Sequence, residues 1–287
     1  MSEKPMRGAA PLVSLVLGTK GRTEELGRFL RSLACQTCRD VELVIVDQNE
    51  DDRVGQVLRS VPMDIPVVVI KSPPGLSRAR NRGLRQARGS IVGFPDDDCW
   101  YPADLLARVL DAFDHCDADL VCGRSCDGDG RQERAWPETP RKVGYLNVWR
   151  CAISFTIFAR RRVFDAVPTF DEELGVGAGT IYGSGEETDF LIRALRAGFA
   201  IDYTPDVVVF HPVKTATYDA ETVKRTRAYA PGFGRVLKKN SYPAWFLWFA
   251  LAKSLVKVLL GTVRRDPWYR RCGAEQVRGY LAGWRAK

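Results

Sequence analysis

Histidine is nearly missing: His115 and His211 are the only two in 287 residues, which excludes a metal site built mainly from imidazole. Eight cysteines are present, but the spacing of a zinc module is not. Cys35-x-x-Cys38 has no second pair at a comparable interval, so structural thiols are expected. The first eleven residues contain no long apolar core, so no secretory leader is expected in them, and without export reduced thiols are the default. No apolar run reaches the roughly 20 residues of a spanning helix; Ala244–Leu260 stops short and carries Lys253 and Lys257. No repeat is found. Gly175-x-Gly177-x-Gly179 lies inside a longer loop instead of between a strand and a helix, which excludes a dehydrogenase fingerprint. The first strand also lacks the glycine-rich phosphate loop of a sugar-phosphate nucleotidyltransferase.

What is present fits a globular chain, 45% hydrophobic and 27% charged. The charge is uneven. Sixteen Lys/Arg and four Asp/Glu fall from Lys214 onward, so the net +8 divides into +12 for that stretch and −4 for the rest. Ahead of it, short apolar runs at Leu12–Leu17, Val41–Val46, Pro66–Ile70 and Ser90–Phe94 predict buried strands. Between them, Leu26, Phe29, Leu30 and Leu33 predict a helix that Thr23 would cap, Val54, Val57 and Leu58 a short one, and Ser77–Arg88 a basic one. Helix 102–113, strand Ala118–Cys122, a loop or irregular hairpin over 124–142, strand Cys151–Phe158, a mobile loop at Leu174–Gly185, helix Glu186–Ala197 and strand Val207–Phe210 complete the pattern. Alternating strands and helices imply an α/β chain with a mostly parallel sheet flanked by helices. Such sheets bind ligands at the carboxyl ends of their strands. Thr19–Arg22, Asp47 and Asp96–Asp98 all fall there.

Asp96-Asp97-Asp98 directly follows an apolar strand. Three carboxylates so close raise one another's pKa, and a divalent cation relieves the repulsion. Oxygen donors favour Mg2+ or Mn2+. In extended chain, residues 96 and 98 face the same side. The alternative is an acidic turn that caps the next helix.

Taken in order, Leu12–Arg22, Val44–Gln48 (VIVDQ), Gly75–Gly83 (GLSRARNRG), Phe94–Asp98 (FPDDD) and Gly185–Arg193 (GEETDFLIR) resemble the motif series of family 2 glycosyltransferases of the GT-A fold, over roughly residues 11–213. The resemblance implies a GT-A domain at 11–213, with a nucleotide-sugar half (11–98) and an acceptor half (99–213), followed by a tail at 214–287. It implies that Thr19, Arg22, Asp47, Arg80, Asn81, Asp96 and Asp97 hold the donor, a UDP-sugar by analogy. Asp98 would bind Mn2+ or Mg2+, with Asp96 and His211 beside it. Glu187, or else Glu186 or Asp189, would be the general base of an inverting displacement on a carbohydrate or polyprenyl-linked acceptor in cell-surface polysaccharide assembly. Two positions depart from the common pattern. Glu187 stands where Asp is frequent, and the first loop reads Thr-Lys-Gly-Arg where Thr-Tyr-Asn-Arg is frequent. Ser184-x-x-Glu187 also matches a capping box, a purely structural role. His211 has a structural reading too.

In the tail, Lys253 and Lys257 share a stripe with Ala250, Gly261 and Arg264, while Trp245, Leu247, Trp248, Leu251, Leu255 and Leu259 form the other face. That pattern suits a helix lying on an anionic membrane surface, hence a peripheral position on the cytoplasmic face. A helix packed on the catalytic domain or a second subunit would look similar. The apolar face argues against nucleic acid as partner. A catalytically inactive scaffold that docks on membranes is the alternative to an enzyme.

Overall fold

The computed structural model describes residues 10–213 and 218–286. Most of the stretch read for a leader, and the first four residues of the tail, lie outside the described residues. Eight strands form one sheet: β1 (Val13–Thr19), β2 (Val41–Asp47), β3 (Val67–Lys71), β4 (Ile91–Gly93), β5 (Leu120–Cys126), β6 (Arg141–Lys142), β7 (Ile157–Arg160) and β8 (Ile201–Phe210). Their order is β3-β2-β1-β4-β7-β5-β8-β6. β1 to β4 pair in parallel, as do β5 and β8, whereas β7 runs antiparallel to β4 and β5, and β6 antiparallel to β8. The helices are α1 (Glu24–Ala34), α2 (Arg53–Ser60), α3 (Leu76–Leu84), α4 (Leu105–Asp114), the single turns α5 (Val148–Cys151) and α6 (Val163–Ala166), α7 (Glu186–Arg196), α8 (Ala220–Lys239), α9 (Ala244–Val263) and α10 (Pro267–Arg285).

The described chain divides into two compact units. The first holds the sheet: residues up to Pro73, Ala79–Thr169 and Ala194–Val213. The second joins Pro74–Arg78 and Phe170–Arg193 to the tail. In the first unit, β1 and β2 are buried on both faces, as their unbroken apolar runs require. One face, with Val13, Leu15, Leu17, Leu43 and Ile45, packs with Leu26, Phe29, Leu30 and Leu33 of α1 and Leu105, Leu106 and Val109 of α4. The other face meets α3. A Cβ on Gly83 would lie 2.4 Å from a Val16 methyl and 2.9 Å from one of Val46, so only glycine lets α3 approach the sheet this closely.

Several expectations change. The strand expected at Cys151–Phe158 begins only at Ile157; α5 and a 3-10 turn at Ser154–Thr156 precede it. The strand expected at Val207–Phe210 begins six residues earlier, at Ile201, and β5 extends to Cys126. The basic helix ends at Leu84 instead of Arg88. Thr23 occupies the N-cap position of α1, but its side chain makes no capping bond. Cys35 sits at the C-cap of that helix, and all eight cysteines are free thiols.

In the second unit, α10 lies against both α8 and α9. Cβ atoms on Gly279 and Gly283 would collide with Ala230 and with the Pro231 carbonyl oxygen of α8, and one on Gly273 with the Ser254 carbonyl oxygen of α9. Leu247, Leu251, Ser254 and Gly261 of α9 are buried, whereas Trp245, Trp248, Phe249, Leu255, Val256, Leu259 and Val263 are exposed. Leu247 and Leu251, expected on the outer apolar face, therefore turn inward. The exposed stripe is instead completed by Phe249, Val256 and Val263.

Candidate active site

The strand ends bring the first three motifs together. Gly18 of β1 bridges to Asp96 in parallel register, which carries the aspartate run alongside the loop after β1. There the Thr19 hydroxyl donates to Asp97 Oδ2 at 2.8 Å, and Arg22 Nη1 donates to Asp97 Oδ1 at 2.5 Å and pairs with Asp98 Oδ2 at 2.7 Å. Both oxygens of Asp97 are thus taken by the first loop. Arg80, 1% exposed, reaches Asp96 Oδ1 at 3.0 Å from α3, and its neighbour Asn81 is buried beside it in the chain. His211 joins from 113 residues further along. Trp100 and Phe210 exchange two backbone hydrogen bonds of 2.9 Å, which zip the chain after the aspartates to the end of β8. His211 Nε2 then lies 3.3 Å from Asp98 Oδ1, its ring stacked on Phe155 at 4.8 Å.

Asp47 ends β2 almost fully buried. Its Oδ1 accepts from the backbone and side-chain amides of Asn49, and its Oδ2 accepts from Lys71 Nζ at 2.7 Å. Asn49 in turn accepts from the backbone N–H of Gly21 at 2.6 Å, so the loops after β1 and β2 form one rim. Gly21 has φ +77°, a conformation suited to glycine.

Burial pushes the Asp96 carboxyl up to about 6; Arg80 opposes this and the charges of Asp98 and Asp97 reinforce it. Burial likewise raises Asp97 against the pull of Arg22 and Thr19. Burial acts to raise Asp98 too, but the hydrogen bond from His211 and the charges of His211 and Arg22 leave it below the ordinary carboxylate value. His211 is raised: burial would lower it, and Asp98 outweighs that. Three carboxylates thus face two guanidiniums and one imidazole, which leaves one net negative charge while His211 is neutral and none when it is protonated.

The oxygen-rich donor set fits a hard divalent cation. Among the described residues no group of three or more His, Cys, Asp or Glu is gathered around one point. Magnesium sites commonly use only one or two carboxylates, with substrate phosphates and water completing the shell. The carboxylates of Asp98 and Asp96 suit that arrangement, and His211 lies 3.3 Å from Asp98.

The acidic motif belongs to the second unit. Gly185 sits ahead of α7 with φ +96° and accepts from the Asp189 N–H at 2.9 Å, while the Ser184 hydroxyl donates to the Tyr229 carbonyl. The helix therefore begins after Gly185, which puts Gly185, one residue past Ser184, at the N-cap position. Asp189 is fully buried. Asn240 Nδ2 donates to its Oδ1, and Arg193 Nε and Lys239 Nζ donate to its Oδ2, at 2.8–2.9 Å. Its oxygens are engaged in fastening α7 to the end of α8. Glu186 is 5% exposed, its carboxylate close against Gly175. Glu187 is the more open of the two glutamates. The loop expected to be mobile closes on itself: Gly175 N–H donates to Tyr182 O at 2.9 Å, and the Thr180 hydroxyl to Glu173 O at 2.6 Å.

Four contributors were not singled out by motif. Asn49 and Lys71 hold Asp47. Arg28 donates to the Asp98 carbonyl at 2.9 Å and stacks on Trp100 at 4.2 Å. Phe155 backs His211. Lys71 meets Asp47 through the register of β3 on β2, which the sequence does not show.

A profile described as glycosyl transferase family 2 matches residues 14–168, and the chain belongs to that family. It is similar to the glycosyltransferase AglE of Haloferax volcanii, 24% identical over 219 residues that span 73% of this chain and 69% of that one. It also resembles a PGL/p-HBAD biosynthesis glycosyltransferase of Mycobacterium bovis, 36% identical over 121 residues, though the match spans 40% of this chain and 47% of the relative. Among solved structures, the mannosyltransferase PcManGT of Pyrobaculum calidifontis, in complex with GDP-Man and Mn2+, superposes with TM-score 0.64 at 18% identity, over 96% of this chain and 87% of that one. S. aureus TarS 1-349 in complex with UDP-GlcNAc superposes with TM-score 0.56 at 18% identity, over 93% and 89%. These two share the fold.

Proposed function

We propose that the protein transfers a glycosyl group, with inversion, from a nucleoside-diphosphate sugar to a hydroxyl of a lipid-linked acceptor at the cytoplasmic face of a membrane, in cell-surface polysaccharide assembly. The convergence of Thr19, Arg22, Arg80, Asp96, Asp97, Asp98 and His211 at the strand ends carries this reading. The complexes of PcManGT with GDP-Man and of TarS with UDP-GlcNAc support the donor class.

In this reading Asp47, in the rim shared with Asn49 and Gly21, orients the nucleoside, and Arg80 and Asn81 hold the donor from α3. Asp98 and Asp96, with His211 beside them, would hold Mn2+ or Mg2+, which would supply positive charge for a departing diphosphate. Arg22 and Arg80 are fixed guanidiniums whose placement costs no reorganisation as that charge develops. Glu187 accepts the proton of the attacking hydroxyl; Asp189, whose oxygens already accept from three side chains, holds the helix that carries it.

Release of nucleoside diphosphate from a panel including UDP-GlcNAc and GDP-mannose, with Mn2+, Mg2+ or EDTA, tests the proposal. Metal-dependent release from one donor, lost in Asp98→Ala, is the expected result. If no donor binds by calorimetry, the protein is a scaffold of glycosyltransferase fold.

A further inference from the structure

The second unit contains a cavity that the reaction above does not use. The glycine-rich loop, α8 and α10 line an open cleft of about 570 Å3, within the size range of small-molecule sites. Val176, Ala178, Ile181, Pro231 and Ala282 give it an apolar wall. A smaller chamber of about 360 Å3 adjoins it. The two share Arg227, Glu275 and Arg278, and the smaller one adds Arg271.

The shared wall is ordered. Glu275 accepts from Arg227 Nε and Nη2 at 3.1 and 3.0 Å, and from Arg278 Nη1 at 3.1 Å. Its side chain is 10% exposed, against 70% and 74% for the two arginines. The carboxylate therefore fixes two guanidiniums at the mouth of the smaller chamber. With Arg271 added, three positive charges stand against one negative. Guanidinium forks match phosphate oxygens in geometry as well as charge. On α10, residues 275, 278, 279 and 282 share one face by helical spacing, and Ala282 is a small, exposed side chain beside the larger space.

We propose that these chambers bind an amphiphilic phosphate, its isoprenyl or alkyl chain in the larger and its phosphate against Arg227, Arg271 and Arg278 in the smaller. This rests on the reading of the acceptor as lipid-linked and assigns the place where its lipid phosphate is held.

Equilibrium binding to the full chain tests it, with farnesyl monophosphate, farnesol and inorganic phosphate as probes. Farnesyl monophosphate should bind at least about tenfold more tightly than either fragment, since each offers only half of the complementarity. Ala282→Trp, at an exposed position, fills the larger chamber, and the double variant R271Q/R278Q empties the smaller one of charge. Each should weaken farnesyl monophosphate about tenfold while leaving the melting temperature and nucleotide-sugar binding unchanged. Binding indifferent to both variants overturns the proposal. Inorganic phosphate binding as tightly as farnesyl monophosphate, or a nucleoside diphosphate displacing the lipid, overturns it as well. Donor binding measured in parallel separates the two readings: lipid binding without donor binding sinks glycosyl transfer alone, and the converse sinks this site alone.

Discussion

Asp98 is drawn on from two sides, by Arg22 at 2.7 Å and His211 at 3.3 Å, and its carbonyl accepts from Arg28. A residue tied this firmly loses little shape when its charge is removed. Asp98→Asn should therefore fold normally and still lose at least about a hundredfold in metal-stimulated diphosphate release, the scale of an electrostatic contact made to developing charge. A melting temperature near wild type together with full activity would remove Asp98 from the mechanism. Glu187 carries a different prediction. If it takes the acceptor proton, Glu187→Gln lowers kcat by about 10²–10⁴ with little change in donor KM. A rise in KM alone would mean that it binds and does no proton transfer. Asp189 should answer differently again: fully buried with three donors, its replacement by Ala leaves those donors unpaired and should show first as lost stability, about 2–3 kcal/mol in a denaturant titration.

Among the elements, the amino ends of β1 and β2 show a buried ionic joint with no catalytic meaning. Glu42, 1% exposed, accepts from the Ser14 hydroxyl at 2.6 Å and from the backbone and guanidinium of Arg88 at 2.7–2.9 Å. Burial alone would raise its pKa, but the hydrogen bonds from Ser14 and Arg88 hold it below the ordinary value. A depressed folded-state pKa contributes stability that is complete above the unfolded value, near 4.5, and is lost as pH falls through the folded one. Glu42→Gln should cost about 2 kcal/mol at pH 7, tempered by the half-exposed arginine, and the gap from wild type should narrow below about pH 4. A pH-independent gap would contradict this. At α3, Gly83→Val should cost about 2–3 kcal/mol by overpacking against Val16 and Val46. The same elements show what was legible. β1 and β2 could be read because strands buried on both faces are unbroken apolar runs. Cys151–Phe158 misled because its apolar residues are buried in a turn, which periodicity alone does not distinguish from a strand. The first half of β8 was missed because Asp202, Thr204, Pro205 and Asp206 point to partly open surroundings. The motif residues of the site were legible in order. Asn49, Lys71, Arg28 and Phe155 were not, since strand pairing and side-chain packing decide whom they touch.

On the scale of the molecule, the proposal gives the tail the role of placing the enzyme on a membrane. α9 buries Leu247, Leu251, Ser254 and Gly261 and exposes a stripe from Trp245 to Val263, with Trp248 and Leu259 each 63% exposed. At 20 residues α9 is longer than the apolar run Ala244–Leu260 suggested and, by length and composition, apolar enough to cross a membrane, with 22% of the window buried in the protein; we read it as a helix lying on a bilayer with one side on its own domain. Exposed tryptophans favour the interfacial depth. Lys253 lies 4.3 Å from the Phe249 ring centre, beside the apolar stripe where an anionic headgroup would be met. The net +12 of the tail adds attraction that salt screens, whereas the apolar contribution is not screened. The two contributions can be separated. Wild type should float with vesicles containing anionic lipid, bind weakly to zwitterionic ones, and be partly released by salt. Trp245→Ser, Trp248→Ser and Phe249→Ser together should abolish flotation at any salt while sparing donor hydrolysis, because all three side chains already face solvent and support no core. Flotation unchanged by the triple variant would transfer the role to the basic surface alone. Lost hydrolysis with intact flotation would mean that α9 serves the catalytic unit and not the membrane.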